Sequence, residues 1–303
     1  MINALKSAKH IGFIMSPSLG DALFSMIIPH NLNRHGYRVT VFNNFLYALR
    51  SWFPDADIQP WPQIEVSREI LKSFDLLLYV YHYNDKKLHA KEWHPNIVFL
   101  NDYPVYHRAI SMADIQIAIC KELFSLSEVQ HNNGMLRHPD AKFRSKPRQV
   151  AIHPTGASPD KHWLPKKFVA LAEQLQTRGF DPIFLVSPKE KELTSWVLDH
   201  GLKRIEPTSI DVVAQHIYES GWFIGSDSGL GHLASSLGIP TITLMARHSI
   251  CRRWRPSFAP NKVLLPPFPM LFKSWKAKYW KHFVSVQSVL KAFLQLTQEH
   301  PVS

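Results

Sequence analysis

Short apolar runs alternate along this chain with longer stretches whose apolar residues recur every three or four positions. Residues 10–16 (HIGFIMS), 37–42 (YRVTVF), 74–81 (FDLLLYVY) and 96–100 read as buried strands, since compact apolar runs bounded by turn residues suit a sheet covered on both faces. Between the first two, residues 21–34 place Leu23, Met26, Ile27 and Leu32 at helical spacing, with Gly36 as the stop. The same cycle begins again at 149–153 (QVAIH). A helix over 168–177 follows, stopped at Gly179, then strands at 181–187 (DPIFLVS), 222–225 (WFIG) and 241–244, with a helix over 229–237 between the last two. The chain closes on a helix over 286–296 with Ser285 or Ser288 at its cap. Strand, loop and helix therefore start twice, which predicts two α/β units with parallel sheets. The stretch 138–148 (HPDAKFRSKPR), polar and proline-punctuated, is the expected linker. Expected domains are 1–145 and 149–275, plus a C-terminal helical segment 276–303 able to pack back on the first domain.

Length and composition narrow the class. A chain of 303 residues with 45% hydrophobic and 19% charged positions has material for two cores. No apolar run is long enough for a membrane span, and the N-terminus lacks a signal-peptide core, so a cytoplasmic protein is expected. Two cysteines, Cys120 and Cys251, cannot build a disulfide framework or a four-cysteine zinc site. The seventeen histidines are scattered without ligand spacing, so no metal is expected.

Charge adds a question about partners. The net charge is +11, which draws a protein to nucleic acid, anionic membrane or phosphorylated substrate. Cations cluster at 247–255 and at 273–281, the latter interleaved with Trp275, Tyr279 and Trp280. Such a mixture fits an anionic inner-membrane surface, and equally a solvated face with aromatics packed inward. No aromatic RNA-binding motif or basic recognition helix points to nucleic acid.

The strongest site signal is Gly225-Ser226-Asp227-Ser228-Gly229-Leu230-Gly231-His232, set between a buried strand and an apolar helix. Open α/β sheets bind ligands at such junctions. The glycines admit a phosphate, the helix start at Ser228, Gly229 and Leu230 favours a diphosphate, and His232 lies one turn beyond Ser228. Residue chemistry alone fits as well an Asp/Ser cap, turn glycines and a packed histidine, because the run is neither a dinucleotide fingerprint nor a Walker A loop.

Taken further, residues Asp227 to Pro240 (DSGLGHLASSLGIP) resemble the D-(S/T)-G-x-x-H-x-A-x-x-x-G-x-P signature of the heptosyltransferase family, glycosyltransferase family 9. Ser18-Leu19-Gly20-Asp21-Ala22-Leu23, with Pro29 behind it, is similar to that family's G-D-x-x-x-x-x-P opening. His153 to Trp163 (HPTGASPDKHW) resembles its donor-domain loop ending in K-(R/H)-W. The resemblance implies a GT-B fold, two Rossmann-like domains with sheets facing a central cleft, the donor held by the second half and the acceptor by the first. It implies Asp21 as the base that deprotonates the acceptor hydroxyl, although a free Asp, with pKa of about 3.9, needs partial burial for that task. Asp21 could instead only cap the helix after it. Lys161 and the helix start would stabilise the leaving diphosphate, with Thr155, Gly156, Glu190 and Glu192 as donor contacts. The resemblance implies inversion and no metal cofactor; Asp55-Ala56-Asp57, the one Asp-x-Asp spelling, reads as a solvated loop.

Expected partners are thus a nucleotide-sugar donor, with ADP-heptose as first choice, and a glycan or glycolipid acceptor of the lipopolysaccharide-core kind at the inner face of the cytoplasmic membrane. The sequence departs from the family after Leu244, where Met245-Ala246-Arg247 replaces an aromatic, a glycine and a small hydroxyl residue. It departs also at 74–87. Alternatives are a nucleotide-sugar epimerase or hydrolase of the same fold, and a non-catalytic nucleotide- or nucleic-acid-binding protein.

Overall fold

The computed structural model describes residues 8–61, 69–81, 94–136, 138, 140–267 and 279–302, and the chain divides into two compact units, Met1–Leu136 and Arg137–Ser303. In the first unit β1 (His10–Ile14), β2 (Arg38–Phe42), β3 (Asp57–Gln59), β4 (Leu76–Tyr79) and β5 (Ile97–Phe99) form a parallel sheet in the order β3-β2-β1-β4-β5. Ile14 lies level with Phe42 on one side and Tyr79 on the other, so the strands end in register on apolar and aromatic residues. The expected single helix after β1 is two, Leu19–Ser25 and Ile27–Arg34. Pro29 explains the break: a proline ring collides with the carbonyl four residues back, here that of Ser25.

The second unit repeats the plan with one strand more. Its strands β6 (Lys146–His153), β7 (Asp181–Leu185), β8 (Lys203–Ile205), β9 (Ser220–Ser226), β10 (Thr241–Leu244) and β11 (Asn261–Leu264) are all parallel, ordered β11-β10-β9-β6-β7-β8. This is the doubly wound order in which the first strand of the unit sits at the centre and the winding reverses between it and the fourth. The switch points are therefore β1/β4 in one unit and β6/β9 in the other. The strands that the apolar pattern did not announce, β3, β8 and β11, are short and only partly buried, and each begins with a polar residue and carries two.

The expected linker is in part structural. The Arg144 backbone N–H donates to Tyr218 O at 2.8 Å, its Nε to Gly221 O at 3.1 Å, and its guanidinium lies 4.5 Å from the Trp222 ring centroid. Lys146 already belongs to β6, and a side chain at Gly221 would run into the Pro147 carbonyl, so glycine is needed for the close approach there. The C-terminal helix Val286–Glu299, capped by Ser285 Oγ accepting from Ser288 N at 3.0 Å, is expected from the sequence to be able to return to the first domain. It packs into the core of the second unit instead: Phe293 meets the Phe180 ring edge-on at 4.9 Å and Trp222 at 5.8 Å. Its apolar stripe of Val289, Leu290, Phe293 and Leu296 is buried in that core together with Phe168, Leu171 and Leu175 of helix Pro165–Gln176. Among the described residues no helix is long and apolar enough to cross a membrane.

Candidate functional site

The loop leaving β6 is fastened at several points. Trp163 is buried in the second unit's core, edge-on to Phe168 at 5.1 Å, and its indole N–H donates to Val284 O at 3.1 Å. Three residues earlier along the loop, Trp280 donates from Nε1 to Asp160 O at 2.6 Å, and His162 Nε2 lies 3.1 Å from Gly156 O. Lys161 sits between these anchors. The K-H-W run thus places a cation at a sheet end by burying the tryptophan beside it.

The β9 loop meets it there. Ser226 donates to Pro154 O at 3.1 Å, the Asp227 N–H donates to Leu244 O at 3.1 Å, and Lys161 Nζ pairs with Asp227 Oδ2 at 2.9 Å. Gly156 is required at this crossing: a Cβ on it would lie 3.0 Å from Asp227 O and 3.2 Å from Lys161 Cβ. Ser228 holds the cap position of helix Gly229–Ser236, yet its hydroxyl makes no capping bond and is buried without a partner among the described residues. A buried hydroxyl left unpaired costs about 1–3 kcal/mol, a debt that a ligand oxygen at the helix start would settle. Gly229 and Leu230 form the first turn beside it, and one turn on, burial pulls the His232 imidazole down to about 4, opposed by the Asp227 carboxylate and aided by Lys161. His232 is therefore neutral at pH 7.

A third group closes the cluster. His153, the last residue of β6, donates from Nδ1 to Leu185 O at 3.0 Å, and its Nε2 lies 3.2 Å from Thr155 Oγ1. Thr155 also hydrogen-bonds Glu190 Oε1, which sits 3.9 Å from His153 Nε2. Burial holds the His153 ring below its usual value, against the Glu190 charge and the Leu185 bond. In the neutral ring Nε2 is an acceptor, so His153 and Glu190 compete for one threonine proton. Burial pushes the Glu190 carboxyl up, but the His153 interaction and the bonds from Ser187 and Thr155 outweigh it and hold the group below the ordinary carboxylate range. Ser187 supplies two of these bonds, from N at 2.8 Å and Oγ at 2.6 Å.

The structure thus gathers Thr155, Gly156, Lys161, Glu190, Asp227, Ser228, Gly229, Leu230 and His232 around the β6/β9 switch point. Glu192 is not among them: it is exposed, and its carboxylate makes no hydrogen bond or ion pair among the described residues. His153 and Trp280 were given no place in the site from the sequence. The first could have been suspected as the polar end of an apolar strand; the second acts at long range.

Asp21 stands in the other unit, in the first turn of helix Leu19–Ser25, which follows β1 at its own switch point. The helix begins two residues before it, with Ser18 in the cap position, so Asp21 is not the cap. Its Oδ2 accepts from Ser16 Oγ at 3.0 Å. The Asp-x-Asp spelling divides: Asp57 accepts from Thr40 at 2.7 Å and Gln59 at 2.9 Å, while Asp55 and Ala56 help line a cavity of about 290 Å³ beside helix Ile27–Arg34. Among the described residues no three His, Cys, Asp or Glu side chains come together as a metal site. Of the basic and aromatic cluster at 273–281, residues 273–278 lie outside the described residues; Trp280 is buried and Tyr279 exposed.

Comparison with known proteins agrees with this geometry. The family model "Glycosyltransferase family 9 (heptosyltransferase)" matches residues 86–266, more than half of the chain. No curated protein sequence matches. Among solved structures, the fold is similar to that of Escherichia coli heptosyltransferase WaaC with ADP (TM-score 0.70, 12% identity, 95% of this chain and 99% of that one). It is also similar to a family 9 glycosyltransferase from Veillonella parvula (0.73, 17%, 96% and 98%) and to E. coli ADP-heptose lps heptosyltransferase II (0.71, 16%, 97% and 100%). At such identities the structural likeness speaks for the fold, which is of the GT-B heptosyltransferase class.

Proposed function

The chain belongs to glycosyltransferase family 9, and on that footing we propose that it moves heptose from ADP-heptose to a hydroxyl of a lipopolysaccharide-core or related glycan, inverting the anomeric centre without a metal ion. The observation that carries this reading is the Lys161–Asp227 pair, 2.9 Å long, beside the unpartnered Ser228 hydroxyl at a helix start. A helix start and a lysine are what a diphosphate needs. The ADP held by E. coli heptosyltransferase WaaC, a structural relative, supports adenine as the base.

In this reading the donor diphosphate sits on the Ser228, Gly229 and Leu230 amides, and Lys161 leaves Asp227 in part to meet it. Neutral His232 holds a phosphate oxygen. Glu190 accepts a donor hydroxyl, which frees Thr155 to bond His153. Asp21 takes the proton of the acceptor hydroxyl while that oxygen bonds to the anomeric carbon. The bond from that carbon to the diphosphate breaks, its electron pair leaving on phosphate oxygen, and Lys161 with the helix start stabilises the charge that appears. The setting is the cytoplasm, at the anionic inner face of the membrane where a glycolipid acceptor is held; nucleic acid has no part.

The test is release of nucleoside diphosphate over a panel of nucleotide sugars, with and without acceptor extract. Asp21→Ala should retain donor affinity and lose about 10²–10⁴-fold in turnover, whereas Lys161→Ala should weaken donor binding as well. Equal release by both variants and the wild type would remove these roles. Fast donor turnover with no acceptor would favour the epimerase or hydrolase alternative.

A further inference from the structure

The basic character of this protein is concentrated in one stretch. Between Asp227 and Glu299 the sequence has ten Lys or Arg and no Asp or Glu, against a net charge of +11 for the whole chain. Part of this stretch returns to the edge of the sheet that carries Lys161 and Asp227. β10 lies against β9 with Leu244 level with Ser226, and helix His248–Trp254 follows β10 after a short turn.

One row of that helix is defined by its main-chain bonds. Cys251 N donates to Arg247 O at 3.0 Å and Arg255 N to Cys251 O at 3.1 Å, so Arg247, Cys251 and Arg255 stack at four-residue intervals on one face. The helix passes close to the candidate site at two points. Just past Arg255, Pro256 Cγ lies 4.0 Å from where a Cβ on Gly231 would stand. The Cys251 thiol, raised chiefly by burial, also feels Arg255 and Asp227. Neither the Arg247 nor the Arg255 guanidinium has a hydrogen bond or ion pair among the described residues, in contrast with Lys161, which Asp227 neutralises.

We infer that Arg247 and Arg255 form a two-arginine clamp on the diphosphate of the nucleotide sugar, supplying the cationic charge that the Lys161–Asp227 pair cancels. This inference rests on the transferase reading and deepens it. The site without ligand holds one lysine, two arginines, one aspartate and one glutamate, a surplus of one positive charge. A nucleotide-sugar diphosphate carries roughly two negative charges, and the released nucleoside diphosphate approaches three. The surplus thus offsets part of the bound donor's charge, and the charge that appears on leaving finds two planar donors suited to phosphate oxygens. Arg247 stands where the resemblance leads one to expect a small hydroxyl residue, so the clamp is a feature of this chain.

Calorimetric titration of the full chain with ADP, AMP and inorganic pyrophosphate tests the clamp in wild type, Lys161→Ala, Arg247→Ala/Arg255→Ala and Arg247→Lys/Arg255→Lys. Circular dichroism checks that each variant is folded. The double alanine variant should lose about 10–100-fold in affinity for ADP and pyrophosphate, from charge-assisted bonds of about 1.5–3 kcal/mol, with AMP changed far less. The lysine variant should fall between. If the double alanine variant binds ADP and pyrophosphate within twofold of wild type while Lys161→Ala weakens them, the clamp is wrong and the transferase reading stands. If loss of the arginines weakens AMP as much as ADP, they serve the nucleoside monophosphate and the clamp is again wrong. Wild type that binds neither ADP nor pyrophosphate overturns the clamp and the transferase reading together.

Discussion

The two switch points of this molecule are built differently. At β6/β9, loops from both strands interlock: Lys161 with Asp227, Ser226 with Pro154, and Thr155 with His153 and Glu190, all resting on a buried tryptophan. At β1/β4 the strands end on Ile14 and Tyr79, with Phe42 and Phe99 alongside, and Asp21, in the helix after β1, accepts from the Ser16 hydroxyl. Around the second sheet the polar groups fix one another before any ligand arrives. Around the first, the strand ends are apolar and aromatic instead. A rigid polar cradle suits a substrate whose diphosphate is constant, and a looser apolar rim suits a partner held by the faces of sugar rings.

The sharpest way to break this contrast is to remove the anchor of the cradle. Trp163→Ala deletes a fully buried side chain and its bond to Val284, and should destabilise the second unit by about 3–5 kcal/mol. Denaturant unfolding followed by hydrogen exchange should show the loss in strands of the second sheet while β1 and β4 keep their protection. Equal loss in both sheets would mean that the anchor is not local to the donor cradle.

A smaller effect concerns protons. His232 ionises at about 4 in the folded chain against its ordinary 6.5, and His153 is shifted the same way, in each case chiefly by burial. The unfolded chain therefore takes up these protons first, as pH falls below about 6.5. Stability should be unaffected by His232 above that value, decline between about 6.5 and 4, and level off below. His232→Gln should flatten that part of a plot of unfolding free energy against pH, and an unchanged slope would count against a buried, neutral ring. The smallest effect is expected at Glu192. Because its carboxylate is exposed and unengaged, Glu192→Ala should leave donor affinity within about twofold, the usual outcome away from special contacts, whereas Glu190→Ala should weaken it. Matching losses from the two would return Glu192 to the site.

How far the sequence could be read varied with how local the cause was. The strands β1, β6, β9 and β10 announced themselves because each carries a compact buried run, as a strand covered on both faces must. β3 and β8 did not, since three-residue edge strands with two polar residues look like loops. The break at Met26 was readable from Pro29, although apolar spacing alone draws one helix through it. The glycine-rich turn at 228–231 was visible as a helix start, but whether Ser228 caps it depends on a hydroxyl direction that no pattern encodes.

By itself the sequence determined the doubly wound plan of both halves, the loops that follow β1, β6 and β9, and the basic stretch after Asp227, because these follow from local periodicity, turn residues and charge count. Only the tertiary structure decided that Glu190 rather than Glu192 meets Thr155, that Asp227 neutralises Lys161, and that the C-terminal helix completes the second core. Those outcomes depend on which distant segments are packed together and on how much water is left around them. Burial and pairing are properties of neighbours in space, and neighbours in sequence do not specify them.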